Sequence, residues 1–575
     1  MKRFALGGVR VQIIVLCLLY SSLGFALDRE AFTFTNYDLS VRVEPEQQRL
    51  AVRGKIKLRN DSSAPQKNLS LQISSSLNWR AILADGKPVQ FVSQPYASDI
   101  DHTGSLSEAI VTLPIAVTPK STVELDIGYE GVIPLDATRL TRIGLPKEGA
   151  RHSDWDQITQ SFSAVRGIGY VAWYPVATES ASLSDGNTVF ETVGRWKARN
   201  FDSTMSVTFH ATPGQRLWFS GEPVGAEKGA ESDDTASAFL LKRFGNEVPA
   251  FAIGDYEELQ SQDYTNIAYF SGDNGAAKDY ALAAELASSF VTDWFGPPKE
   301  KAEVVQVSDP LAAPFEDGSA LLTPLSGKTD SRLLQMTAVH QLTHAAFPSP
   351  RLWIYEGLGH FAQAAYREQL GGRAAALDFM ALYGAGVAEI EKSIAEAKNP
   401  NAATDDSLIR SSIPELYRGK AMYVWWMLRD MIGDLPLKKA LAAYRPEEDK
   451  DPAYVQRLVA TQTKRDLEWF FDDWVYRERA LPDFRVESAF PRATVGGGYV
   501  VTVTIENLGS AGAEVPVTLK VGSVDVTKRL EVRAKSKNSI RIEAPGPPQQ
   551  VIINDGSVPE SDLSNNTFKL ELPAK

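Results

Sequence analysis

His340-Gln341-Leu342-Thr343-His344, followed by Trp353-Ile354-Tyr355-Glu356-Gly357, is the stretch from which the fold can be read. Residues four apart on an α-helix share one face, so the two imidazoles can reach a common point. Two such histidines and a glutamate from the next helix form an N,N,O donor set for one Zn²⁺, with a fourth position left open. In the usual form of this pattern a glutamate follows the first histidine and serves as a general base. Gln341 stands there instead. Its amide donates and accepts hydrogen bonds but does not take a proton at neutral pH. The expectation is a metal site whose water Gln341 hydrogen-bonds without deprotonating it.

The surrounding signals fit a mostly helical region. Asp330 is placed to cap the helix that carries both histidines, and Pro348 to stop it. The Glu356 helix is expected to end at Gly371-Gly372, and a third helix to span residues 417–432 before Gly433. Upstream, strands are expected at 267–270 and 304–307, with a helix at 277–294 stopped by Gly296-Pro297-Pro298. Outside this region the pattern is of strands. Leu39, Val41 and Val43 alternate with polar residues, as do Leu50, Val52, Ile56 and Leu58 across the turn at Glu44-Pro45-Glu46-Gln47. Residues 225–237 read as a surface loop. After Leu481-Pro482 alternation returns in Val501, Val503 and Ile505, and again in Val517, Leu519 and Val521, as in a β-sandwich. The chain is therefore expected to be a multidomain α+β protein: a β-rich domain at 27–257, a mostly helical domain at 258–480 and a β-sandwich at 481–575.

Residues 1–26 have the form of a secretory leader. Lys2, Arg3 and Arg10 precede or flank a short apolar run, and Gly24-Phe25-Ala26 is a small-residue exit. The expectation is export to a periplasmic or extracellular space after cleavage. The alternative is an uncleaved leader acting as a membrane anchor. No later segment is long and apolar enough to span a membrane. The only cysteine, Cys17, lies inside the leader, which excludes cysteine chemistry from the mature chain. The net charge of −12 becomes more acidic once the leader is removed, which argues against nucleic acid as a partner.

With these residues in view, the chain resembles the alanyl aminopeptidase family of zinc metallopeptidases, of the gluzincin clan. Trp353-Ile354-Tyr355-Glu356-Gly357-Leu358 is similar to the family's W-L-N-E-G-F, although the loop between His344 and Glu356 is shorter than the family's. The resemblance implies a thermolysin-like catalytic domain and one Zn²⁺ on His340, His344 and Glu356. Ala313-Pro314-Phe315-Glu316-Asp317 resembles a degraded G-x-M-E-N. The resemblance therefore implies that Glu316, with Asp317 beside it, binds the ammonium of a peptide with a free amino terminus. Tyr417-Arg418-Gly419-Lys420 resembles Y-E-K-G with Gly and Lys transposed, which implies an oxyanion-stabilising role for Tyr417. Phe470-Phe471-Asp472-Asp473-Trp474 resembles the motif at the end of the family's catalytic domain. His360 reads as a neighbour of the metal or a surface residue, and Arg418 and Lys420 as solvated charges.

Two functions follow as expectations. One is an exported aminopeptidase with impaired activity, in which Tyr417 and Gln341 are the catalytic positions. The other is a catalytically silent zinc-binding relative that binds peptides or partner proteins. A structural or adhesion role through the terminal β domain is a third class, disfavoured by the intact set of ligands.

Overall fold

The computed structural model describes residues 27–571 apart from 212–213, 225–234, 262–263, 398–406, 478 and 496. The leader, Cys17 and most of the loop expected at 225–237 lie outside the described residues. Thr235–Leu241, at the end of that stretch, is a strand.

The amino-terminal part is built on an eight-stranded sheet whose centre pairs Phe32–Glu44 with Arg49–Asn60. The alternation read from the sequence is present: Leu39, Val41 and Val43 are buried, while Ser40 and Arg42 are exposed. The turn at Pro45–Gln47 closes with Gln48 in the left-handed region (φ 52°). A three-stranded sheet and a four-stranded sheet complete this part. It also contains helices that strand alternation does not announce. The longest, Thr188–Arg199, forms one wall of the cleft described below.

A five-stranded mixed sheet begins at Tyr256 and ends on the short edge strand Phe315–Asp317. The helix Asn274–Phe295 follows Thr265–Phe270 and stops at Gly296 (φ 85°). Ser331–Ala346 carries the histidines, and Asp330 caps it by accepting hydrogen bonds from the backbone N–H of Arg332 (2.8 Å) and Leu333 (3.3 Å). The helix that carries Glu356 ends at Gly371-Gly372 as expected, with Gly372 at φ 78°, and a second helix follows directly, to Ala397. Residues 415–420 form a wide π-turn that runs into the helix Ala421–Ile432, which ends at Gly433.

The glycine after Glu356 has a packing reason. A Cβ on Gly357 would lie 2.6 Å from Ala421 Cβ, so only glycine permits this approach of the two helices. Trp353 and Trp425 stack beside the crossing with ring centroids 5.0 Å apart. Glu356 and the turn carrying Tyr417 are thereby held side by side.

The carboxy-terminal part is a sandwich of a three-stranded sheet centred on Tyr499–Asn507 and a four-stranded sheet containing Ala513–Val521. Its apolar interior is continuous with that of the helices. Phe470, Phe471 and Trp474 are buried at the junction, where Trp474 Nε1 donates to the Gly512 carbonyl (2.7 Å) and Asp473 accepts from the Gly512 N–H (2.9 Å). Among the described residues no helix is long and apolar enough to cross a membrane.

Candidate metal centre and cleft

His340 and His344 project from one face of their helix with Nε2 atoms 2.9 Å apart, and His340 Nε2 lies 4.0 Å from Glu356 Oε2. One ligand atom from each of the three residues falls within 4.8 Å of the others, the only such histidine, cysteine or carboxylate group among the described residues. Tetrahedral zinc with bonds of about 2.0–2.1 Å places its ligand atoms roughly 3.3 Å apart, so the set closes on an ion with small side-chain shifts. The protonation states also suit a metal. Burial, then the neighbouring His340, holds His344 well below the usual imidazole range, so it is neutral. Burial raises the Glu356 carboxyl, but Arg418 and the adjacent histidines outweigh that and hold it below the usual carboxylate range. Both Nδ1 atoms are buried without a partner among the described residues. The donor set therefore fits zinc, although it lacks the outer acceptors that commonly orient ligand histidines.

Packing orients the imidazoles instead. Tyr355 stacks on His344 at 3.9 Å between ring centroids. Gly359 lies against His340 so closely that a Cβ there would meet the ring at 2.7–2.9 Å. His360 is buried beside His340, with centroids 4.8 Å apart, and is no surface residue. Its Nδ1 pairs with Gln363 Oε1 (3.0 Å), and burial pushes the ring down to about 3.

Gln341 does not take the position expected of it. Its side chain belongs to the scaffold: Nε2 donates to the carbonyls of Glu303 (2.8 Å) and Ser319 (2.9 Å), and Oε1 accepts from the Tyr280 hydroxyl. Both amide hydrogens are used on the neighbouring sheet, so none remains for a water at the metal. The carboxylate that does approach is Glu316, whose Oε2 lies 3.4 Å from His340 Nε2. Glu316 falls outside the set of three whose ligand atoms lie within 4.8 Å of one another and flanks that set on the His340 side.

Glu316, Asp317, Glu356, Tyr417 and Arg418 all line one cleft of about 640 Å³ between the amino-terminal and helical parts. Five positions singled out in the sequence thus converge on one cavity or its floor. Asp317 points away from Glu316 along the strand and is buried. It accepts hydrogen bonds from the Val248 N–H (2.9 Å) and the Ser220 hydroxyl (3.2 Å), and burial pushes it up to about 7 against the pull of Lys197. Burial likewise raises Tyr417 to about 12, so it remains a hydroxyl donor at neutral pH.

Two cations read as ordinary solvated charges both have carboxylate partners, and Lys420 is out of solvent altogether. Arg418 donates from Nε to Glu356 Oε2 at 3.0 Å, and Lys420 is buried against Glu391. Their partners come from other helices, which local sequence does not reveal. Lys197, on the opposite wall, also escaped notice because its helix lies in a region dominated by strands. The signal was present: Val189, Thr192 and Trp196 fall on one buried face at helical spacing.

Comparison with known proteins returns no matching family model and no matching curated protein. Among solved structures, the chain is similar to an M1 zinc metallopeptidase from Deinococcus radiodurans at 16% identity, with 80% of this chain and 97% of that one covered and a TM-score of 0.45. A mutant of that enzyme bound to a Tyr-Ser-Ala substrate matches at 16% identity, with 80% and 97% covered and a TM-score of 0.47.

Proposed function

We propose that this chain is a zinc-binding protein of peptidase design whose cleft receives peptides with a free amino terminus, and that it hydrolyses them slowly or not at all. One observation carries the reading. The position that would hold the base is occupied by Gln341, and its amide is committed to the Glu303 and Ser319 carbonyls. Bound zinc would polarise a peptide carbonyl and acidify an attacking water. His340, His344 and Glu356 would hold it. Glu316 would accept the ammonium of the peptide, and Tyr417, protonated at neutral pH, would donate to the carbonyl oxygen as charge develops there. No residue at position 341 takes the proton from water or returns it to the leaving amine, and such transfer is worth roughly 10²–10⁴-fold in rate.

A second reading is supported by the 3.4 Å approach of Glu316 to His340. Glu316 would then supply the missing base from the sheet, at the expense of the ammonium contact, and the chain would be a slow aminopeptidase. We further propose, from the leader-like residues 1–26, that the chain is exported.

The test is made on zinc-loaded protein with unblocked aminoacyl anilides and with a tripeptide. The first reading expects one zinc per chain, saturable tripeptide binding and anilide hydrolysis near background. Measurable turnover that disappears in Glu316→Gln while zinc and tripeptide stay bound would favour the second. Fast turnover that survives Glu316→Gln, or a chain that takes up no zinc, overturns both. Amino-terminal sequencing of the exported product tests the leader; an intact Met1 removes that part of the proposal.

A further inference from the structure

Four cations line the cleft: Arg139, Arg166, Lys197 and Arg418. Two are fully engaged. Arg139 makes a two-pronged pair with Asp154, and Arg166 with Asp156, all of them buried. The other two are not. Arg418 meets Glu356 through Nε only, and its terminal nitrogens have no hydrogen-bond partner among the described residues. Lys197 donates to the Asn246 carbonyl at 2.7 Å, and no carboxylate among the described residues lies within 4.0 Å of its Nζ. Asp317, Glu356 and Glu247 lie in its field, but none of them comes within ion-pair distance of Nζ. Lys197 and Arg418 lie in each other's field across the same cavity.

Their placement is set by the fold. Val189, Phe190, Val193, Gly194 and Lys197 all line the cleft, and 190, 193, 194 and 197 follow the spacing of one helical face. Gly194 lets that helix close on the segment carrying Ser412, since a Cβ there would meet Ser412 Cβ at 2.4 Å. The wall is therefore an apolar surface that ends in an ammonium, facing a guanidinium fixed by its own ion pair.

We infer that Lys197 and the terminal nitrogens of Arg418 form a receptor for a ligand carboxylate, so that the cleft selects peptides bearing a carboxylate a short distance from the amino end. The inference rests on the peptide-binding reading above and makes it more specific. Lys197 has no ion-pair partner among the described residues, and Arg418 pairs with Glu356 through Nε alone; a carboxylate placed between them offsets their mutual repulsion while accepting charge-assisted hydrogen bonds from Nζ and the free guanidinium nitrogens. The cleft volume is that of a small-ligand site, which suits a short peptide. The carboxylate can be a peptide's own terminus or the side chain of an acidic residue, and the two sources are separable.

The experiment is calorimetric and needs no turnover. Trialanine is compared with trialanine amide, and Glu-Ala-Ala amide with Gln-Ala-Ala amide, on zinc-loaded and on chelator-treated protein. Glutarate is a fifth probe, with carboxylates but no amine or peptide bond. The expected result is at least tenfold tighter binding of one acid than of its neutral counterpart. That preference should persist without metal, collapse to about unity in Lys197→Met and be retained in Lys197→Arg. A preference confined to the first pair assigns the terminal carboxylate; one confined to the second assigns the acidic side chain. If no peptide binds but glutarate does, and Lys197→Met loses it, the carboxylate receptor stands while the peptide reading falls. Equal binding within both pairs together with no Lys197-dependent binding of glutarate overturns the inference, as does a preference that Lys197→Met leaves intact. Melting curves of both variants show that the comparison is made on folded protein.

Discussion

Arg418 Nε donates at 3.0 Å to Glu356 Oε2, the same oxygen that lies 4.0 Å from His340 Nε2. A guanidinium thus shares the carboxylate that would face a dication. Its removal has two opposite effects. Without metal, Arg418→Met leaves the mostly buried Glu356 without its cation, costing about 1–2 kcal/mol, a figure discounted because the Arg418 side chain is 41% exposed. With metal, loss of a nearby positive charge should tighten zinc binding by about ten- to a hundredfold. Chelator competition and melting with and without zinc measure both; unchanged zinc affinity would show that Arg418 does not tune the site.

Gln341→Glu looks like a repair, but the hydrogen bonds predict otherwise. A carboxylate at 341 presents oxygen to the carbonyls of Glu303 and Ser319, which now accept hydrogen bonds. The Ser319 carbonyl keeps the Glu303 N–H (3.1 Å), but the Glu303 carbonyl loses its amide donor and both face a carboxylate oxygen, costing about 1–3 kcal/mol. The expected outcome is a clear drop in melting temperature and less than a tenfold gain in anilide hydrolysis. A gain of a hundredfold at unchanged stability would mean that the new side chain turns freely to the metal.

Gly359→Ala tests whether packing alone aims His340. The added methyl would meet the ring at 2.7–2.9 Å and must displace it. Overpacking of this kind costs about 1–3 kcal/mol, and zinc affinity should fall at least tenfold. Gly357→Ala, which instead strikes Ala421, is the comparison: it should lower stability by a similar amount while weakening zinc less. Equal losses of zinc in the two variants would remove the aiming role of Gly359.

Asp317 gives a pH signature. Its folded pKa of about 7 lies above the ordinary carboxyl value, chiefly through burial. The native state therefore holds a proton that the unfolded chain has released, and stability falls as pH rises from about 4 to 7. Asp317→Asn keeps an acceptor for the Val248 N–H and removes the titration. Relative to the parent it should gain about 2 kcal/mol between pH 5 and pH 8. Denaturant titrations at the two pH values check this; parallel shifts at both would assign the proton elsewhere, with the adjacent Glu247 first in line.

Legibility in the sequence followed locality. The imidazole pair needed only helical spacing, and the Asp330 cap and the Gly433 stop are local rules. Alternation placed Leu39, Val41 and Val43 on a buried face because a strand's two faces are fixed by residue parity. What escaped were relations between elements. Nothing near Gln341 announces that carbonyls from a strand and from a neighbouring turn will meet its amide. Arg418 reads as a surface charge until the π-turn of residues 415–420 brings it to Glu356. The helix Thr188–Arg199 was hidden by its surroundings, although Glu191 in its first turn and Lys197 and Arg199 in its last suit the helix dipole.

The bonds from Gln341 to Glu303 and Ser319 also bear on reversibility. A catalytic group lost by one substitution can return by one substitution only while its place stays vacant. Here the place belongs to the framework, so a carboxylate introduced at 341 needs a second change that supplies the Glu303 carbonyl with a donor. Taken singly, either step passes through a weaker intermediate. The amide works as a ratchet: once a side chain holds the framework together, a group of different chemistry enters its place only by loosening what it joins.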